Sequence, residues 1–127
     1  MERTYSTPLI DKLGVKPGMR VAIVGPVDPD GAFHELLSER TDDVTDGLPQ
    51  ADTDLVFLAA DSQAELAGLG DLRRRIRPNG AIWVVSRKGR AATLRDVEVI
   101  EAAKSNDLVD NKVASFSDSH TALRPRS

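Results

Sequence analysis

Arg20-Val21-Ala22-Ile23-Val24-Gly25 decides how the rest of the chain is read. An unbroken apolar run, fed by the turn Pro17-Gly18 and closed by a glycine, is the pattern of a strand buried on both faces. Two more runs of this kind follow, Asp54-Leu55-Val56-Phe57-Leu58-Ala59-Ala60 and Ala81-Ile82-Trp83-Val84-Val85-Ser86. The segments between them carry helical spacing. Leu9, Ile10 and Leu13 share one face, opened by Ser6-Thr7-Pro8 with Thr7 as the cap and stopped by Gly14. Phe33, Leu36 and Leu37 form a second face. Ser62-Gln63-Ala64-Glu65 is a capping box, and Leu66, Leu69, Leu72 and Ile76 follow it, weakened by Gly68 and Gly70 and ended by Pro78-Asn79-Gly80. Thr93 caps a last helix, with Asp96 near its positive end and Val97, Ile100 and Ala103 on one face. Residues 43–45 form a short strand, and 112–116 and 121–123 form a terminal hairpin. Pro125 implies that the last strand stops before it.

Strands alternating with helices specify an α/β fold, a mostly parallel sheet covered on both faces in three layers, with an antiparallel strand added by the C-terminal hairpin. The 127 residues suit one domain, 1–127, large enough for its own core. With 40% hydrophobic and 29% charged residues, the composition is that of a folded protein. The absence of cysteine excludes disulfides and thiolate chemistry. His34 and His120 are the two histidines, too few for a histidine-rich metal site, and no metal is expected. No apolar run reaches the ~20 residues of a membrane span, and the N-terminus lacks a signal-peptide pattern, so the expected location is the cytoplasm.

Net charge is −3, which speaks against nucleic acid as a partner. Its distribution is uneven. Asp28, Asp30, Glu35, Glu39, Asp42, Asp43, Asp46, Asp52 and Asp54 face the single base Arg40 in one stretch. Arg73, Arg74, Arg75, Arg77, Arg87, Lys88, Arg90 and Arg95 form another stretch without an acid. These runs are either solvated faces or an anion-binding patch, or opposed patches that pair in a homo-oligomer or with a protein partner.

In doubly wound sheets, ligands bind beyond the carboxyl ends of the strands. That edge contains residues 25–30, 60–62, 86–90 and 117–120. Arg87, Lys88 and Arg90, close to a helix start, have the makings of a site for an anionic small molecule. Ser86 and His120 belong to the same edge, and His120 is its one acid–base group for neutral pH. Asp61 either meets a ligand or helps to start the following helix. Asp28 and Asp30 either form a turn or contact a ligand hydroxyl. Trp83, on a central strand, is expected in the core.

Two stretches resemble class I S-adenosylmethionine-dependent methyltransferases. Leu13-Gly14-Val15-Lys16-Pro17-Gly18-Met19-Arg20-Val21 is similar to the lead-in to that family's first strand. Residues 74–85, which include Arg77-Pro78-Asn79-Gly80-Ala81-Ile82-Trp83, are similar to its helix, turn and mid-sheet strand. The whole also resembles a family of small bacterial proteins of unknown function that share a reduced, Rossmann-like form of this fold. The resemblance implies S-adenosylmethionine as the candidate cofactor, with Gly25, Asp28, Asp46 and Asp61 lining its site. Asp46 lies 21 residues after Gly25, close to the spacing of about 20 for the acid that holds ribose hydroxyls in dinucleotide folds. The loop departs from the family's E/D-x-G-x-G-x-G pattern. In Ile23-Val24-Gly25-Pro26-Val27-Asp28-Pro29-Asp30-Gly31, two prolines offer no N–H, and Val27 stands where a small residue is expected. That departure makes a noncatalytic or regulatory module for a small ligand or a protein the leading expectation. The alternatives are an S-adenosylmethionine-dependent methyltransferase with an atypical cofactor loop, or an enzyme acting on an anionic metabolite.

Overall fold

The computed structural model describes residues 7–25, 27, 32–87, 92–106, 108–116 and 120–126. In chain order the elements are α1 (Thr7–Lys12), β1 (Val21–Val24), α2 (Ala32–Arg40), β2 (Val44–Asp46), β3 (Thr53–Ala59), α3 (Gln63–Leu66), α4 (Leu69–Arg75), β4 (Ile76–Arg87), α5 (Asp96–Lys104), β5 (Val109–Ser115) and β6 (His120–Arg126). The strands form one six-stranded sheet in the order β2-β1-β3-β4-β6-β5. β2, β1, β3 and β4 are parallel, and β6 runs antiparallel to both β4 and β5. The expected architecture is present, with one difference at the end: the antiparallel strand lies inside the sheet, and β5 forms the edge.

Alternation along each strand divides the core between two helical layers. Val21 and Ile23 of β1, Leu55 and Phe57 of β3 and Trp83 and Val85 of β4 meet Leu9, Ile10 and Leu13 around α1 and Phe33 and Leu37 of α2. Ala22, Val56, Leu58, Ile82 and Val84 face the other way, onto Leu66 of α3, Leu69 and Leu72 of α4, and Val99 and Ala103 of α5. Each fully buried Leu, Ile or Phe contributes about 1.5–3 kcal/mol through area removed from water. Trp83 is fully buried, as its strand position predicts, and its indole N–H donates to the Leu13 carbonyl oxygen at 3.0 Å. That bond satisfies the one polar atom of the side chain and fixes the end of α1 to the sheet.

Several sequence expectations change in detail. The helix expected across 62–76 is two, α3 and α4, separated at Ala67-Gly68. Pro78-Asn79-Gly80 does not end a helix before a new strand; it lies inside β4. Thr53 pairs with Ile76 and Leu55 with Ala81, so the intervening residues of β4 form an irregularity in the ladder. Gly80 is required there, since a Cβ would lie 2.9 Å from the Ile76 Cβ and 3.1 Å from the Asp54 carbonyl oxygen. β6 also continues past Pro125, pairing Arg126 with Ala81 and with Val109. Its register with β5 shifts between Val109 and Lys112, opposite the proline, where a strand without an N–H can be accommodated. The N-cap of α5 is Arg95, not Thr93. The Thr93 hydroxyl donates instead to the Asp61 carbonyl oxygen, and the buried residues of the helix are Val99 and Ala103 while Val97 is exposed. The proposed Thr7 cap lies outside the described side chains. Among the described residues no helix is long and apolar enough to cross a membrane.

Candidate functional site at the carboxyl edge

Neighbouring strands in this sheet leave in different directions from β1. The chain passes from β1 to β2 on one side and returns to β3 on the other, so the topological switch point, where sheets of this type leave a crevice for ligands, lies between the carboxyl ends of β1 and β3. Reading across this edge, the strand ends present Asp46 on β2, Gly25 after β1, Asp61 after β3, Arg87 on β4 and His120 on β6. Five of the sequence-derived candidates are therefore brought into one row. Asp28, Lys88 and Arg90 lie outside the described residues, as do Asp30 and the hairpin residues 117–119.

Gly25 has φ +82°, and a Cβ there would sit 3.3 Å from the Cβ of Ala59 on the neighbouring strand. Only glycine adopts that backbone freely, and only glycine leaves this space beside β3 open. The chain then folds back at once: Val27 N–H donates to the Gly25 carbonyl oxygen at 2.8 Å. Val27 is buried with the α1/α2 layer. The bulky residue in the loop is thus a core residue.

Asp46 ends β2, paired in register with Ile23 of β1. Its side chain is 71% exposed, with Oδ2 3.3 Å from Nε2 of His34 on α2. Nδ1 of the same imidazole is 3.4 Å from the Ser38 hydroxyl, one helical turn further on. Among the described residues the Asp46 carboxylate has no other partner. His34 entered the sequence reading only as one of two histidines. Nothing local marks it, because its contact with Asp46 exists only once β2 lies beside β1 under α2.

Asp61 has a structural part that the sequence left open. Its Oδ1 accepts the Arg87 backbone N–H at 2.8 Å and lies 3.4 Å from the Arg87 Nε. Its own N–H donates to Glu65 Oε1 at 2.8 Å, and its carbonyl takes the Thr93 hydroxyl at 2.5 Å. One residue therefore ties the ends of β3 and β4 to α3 and to the approach to α5. The capping box is present with a small change: Ser62 Oγ accepts the Glu65 N–H, while the Glu65 carboxylate reaches Asp61 N–H.

Arg87 is 47% exposed and stands directly across the ladder from His120. Ser86 is buried on the α3/α5 side of the sheet, against Thr121 in register. The basic run does not form one surface. β4 separates Arg73, Arg74, Arg75 and Arg77 at its amino end from Arg87 at its carboxyl end. Five of its six described arginines are also matched by acids: Arg74 and Arg75 with Asp71, Arg77 with Asp54, Arg87 with Asp61, and Arg95 with Glu98.

A concavity of about 550 Å³ lies between α3 and α5 and is lined by Gln63, Leu66, Ala67, Arg95, Glu98 and Asn106 among others. Within that lining Glu98 accepts the Arg95 backbone N–H at 2.8 Å and the Gln63 amide at 2.5 Å. These donors, the Arg95 N–H foremost, hold its carboxyl below the usual glutamate range.

By sequence the chain matches no family model and no curated protein. By structure it is similar to solved methyltransferases. Precorrin-6y C5,15-methyltransferase from Geobacter metallireducens superposes with a TM-score of 0.65 at 11% identity, over 94% of this chain and 86% of that one. The precorrin 8w decarboxylase of Methanobacterium thermoautotrophicum gives 0.64 at 15% identity, over 95% and 88%. An S-adenosylmethionine-dependent O-methyltransferase from Thermotoga maritima gives 0.67 at 12% identity, over 99% and 67%. At such identities the likeness is one of fold: a Rossmann-like sheet of the class I methyltransferase type.

Proposed function

We propose that this chain binds S-adenosylmethionine in the crevice between the ends of β1 and β3 and acts as a methyltransferase with an atypical cofactor loop. The observation that carries the reading is the juxtaposition at the switch point of Gly25, whose missing Cβ leaves the strand end open, with the exposed Asp46 carboxylate one strand away. These two residues fit the cofactor. Asp46 would accept the ribose hydroxyls, and Gly25 would let the backbone approach the ligand closely. The bound cofactor supplies a methyl group on a positively charged sulfur, open to attack by a nucleophilic acceptor. Asp61, through Arg87 N–H and Thr93, holds the neighbouring strand ends in place around that space. The similarity to S-adenosylmethionine-dependent methyltransferases supports this reading above a noncatalytic module. So does the burial of Val27, which removes the main steric objection in the loop.

The test is thermal denaturation with S-adenosylmethionine, S-adenosylhomocysteine, ATP and inorganic phosphate. A ligand that binds only the folded state at 100 times its Kd adds about 2.7 kcal/mol. The expected outcome is a dose-dependent rise with the two adenosyl compounds that Asp46→Ala abolishes. No rise with either compound at millimolar concentration would overturn the reading and return the search to protein partners. A rise with phosphate alone, lost in Arg87→Ala, would favour an enzyme for an anionic metabolite.

A further inference from the structure

His34, Ser38 and Asp46 form a chain of three polar side chains beside the crevice, and none belongs to a cofactor-loop motif. In a neutral imidazole these two contacts are met when Ser38 O–H donates to Nδ1 and Nε2–H donates to Asp46 Oδ2. One carboxylate oxygen is then engaged by the protein, and the other is presented outward with no partner among the described residues.

The support behind His34 is firm. Its neighbour Phe33 is completely buried, edge-on to Phe57 of β3 at 5.0 Å and to Phe116 at 4.8 Å between ring centres. Leu37, one turn after Phe33, is likewise buried. α2 therefore cannot turn about its axis without breaking the core, and the imidazole is carried on a fixed helix face. Asp46 lacks such support. It ends a three-residue edge strand and is largely exposed. Left alone, its carboxylate would sample several rotamers, and a ligand would bear the entropy of ordering it.

We propose that His34 is a positioning residue for ligand recognition, which orients Asp46 so that its free oxygen reads a cis-diol, the 2′,3′-hydroxyls of a ribose. This deepens the cofactor reading above and rests on it: the site selects ligands with an intact ribose, and it does so through α2 as well as through β2. His34 itself touches the carboxylate, not the reacting atoms.

The test compares S-adenosylhomocysteine with its 2′-deoxy analogue by titration calorimetry on the full chain. Wild type prefers the ribose compound by about tenfold, the worth of one hydrogen bond to a charged acceptor. His34→Ala loses about fivefold in affinity for the ribose compound and less than about twofold for the deoxy analogue, so the preference collapses. His34→Gln, whose amide N–H can reach the same oxygen, restores the preference. A melting temperature unchanged in both variants shows that folding is not the cause. An equal loss for both ligands in His34→Ala, or an undiminished preference, overturns the role of His34 while leaving the cofactor reading intact. Failure of wild type to bind S-adenosylhomocysteine overturns both.

Discussion

Gly25 and Trp83 show how much single residues decide at this fold's carboxyl edge and in its core. Gly25 is constrained twice, by a φ of +82° and by an Ala59 Cβ that would stand 3.3 Å from any Cβ added there. An alanine in the left-handed region costs about 1–2 kcal/mol before the contact with Ala59 is counted. Gly25→Ala should therefore lower the unfolding free energy by that amount or slightly more, seen as a lower urea midpoint with the denaturant slope unchanged. A variant as stable as wild type would mean that the turn can relax, and that the glycine serves the ligand alone. Trp83 illustrates the opposite economy of design: its indole N–H meets the Leu13 carbonyl oxygen, so a large side chain is buried with no unsatisfied polar atom.

Among the elements, α3 and α5 are coupled by polar contacts in the lining of a concavity. Gln63 of α3 donates to Glu98 of α5, and Glu98 in turn accepts the N–H of Arg95, the N-cap residue. Because these donors favour the ionised form, the Glu98 carboxyl titrates lower in the folded chain than in the unfolded one. The sign follows from linkage. The contribution is complete above the range where an unfolded glutamate titrates, and it is lost as pH falls through the lower, folded value. Stability measured by urea titration should thus fall more steeply between neutral pH and about pH 3 in wild type than in Glu98→Gln, which has no proton to take up. Parallel curves for the two proteins would show that the Arg95 and Gln63 contacts do not persist in solution.

On the scale of the whole molecule, Phe33 links parts of the chain that are far apart in sequence. It joins α2 to Phe57 in the middle of the sheet and to Phe116 at the end of β5. Truncation of a fully buried aromatic ring costs about 3–5 kcal/mol. Phe33→Ala should lower stability by this amount in a single transition, seen together by Trp83 fluorescence and by far-ultraviolet circular dichroism, since one sheet passes through both cores. Separated transitions would mean that the terminal hairpin unfolds independently of the parallel strands. The same ring anchors the helix that carries His34, so the core and the proposed recognition of ribose depend on one packing arrangement.

The sequence by itself determined the layered α/β fold, the three central strands and which residues lie at their carboxyl edge. Those properties are local in origin: Val21–Val24, the apolar run from Leu55 to Ala59 and the run through Trp83 are each apolar without interruption, and the helical spacing lies between them. Once direction and alternation are known, the carboxyl ends are known too. Tertiary structure alone decided what meets at that edge. The His34–Asp46 contact needs β2 placed beside β1, the knot at Asp61 needs β4 beside β3, and the division of the arginine run needs β4 to pass between its halves. Pro125 lies in a strand opposite the point where β5 shifts register, a pairing that only the assembled sheet reveals. A residue pattern encodes which face is buried. Which ends converge depends on strand order, a non-local outcome of how the two helical layers pack on the sheet.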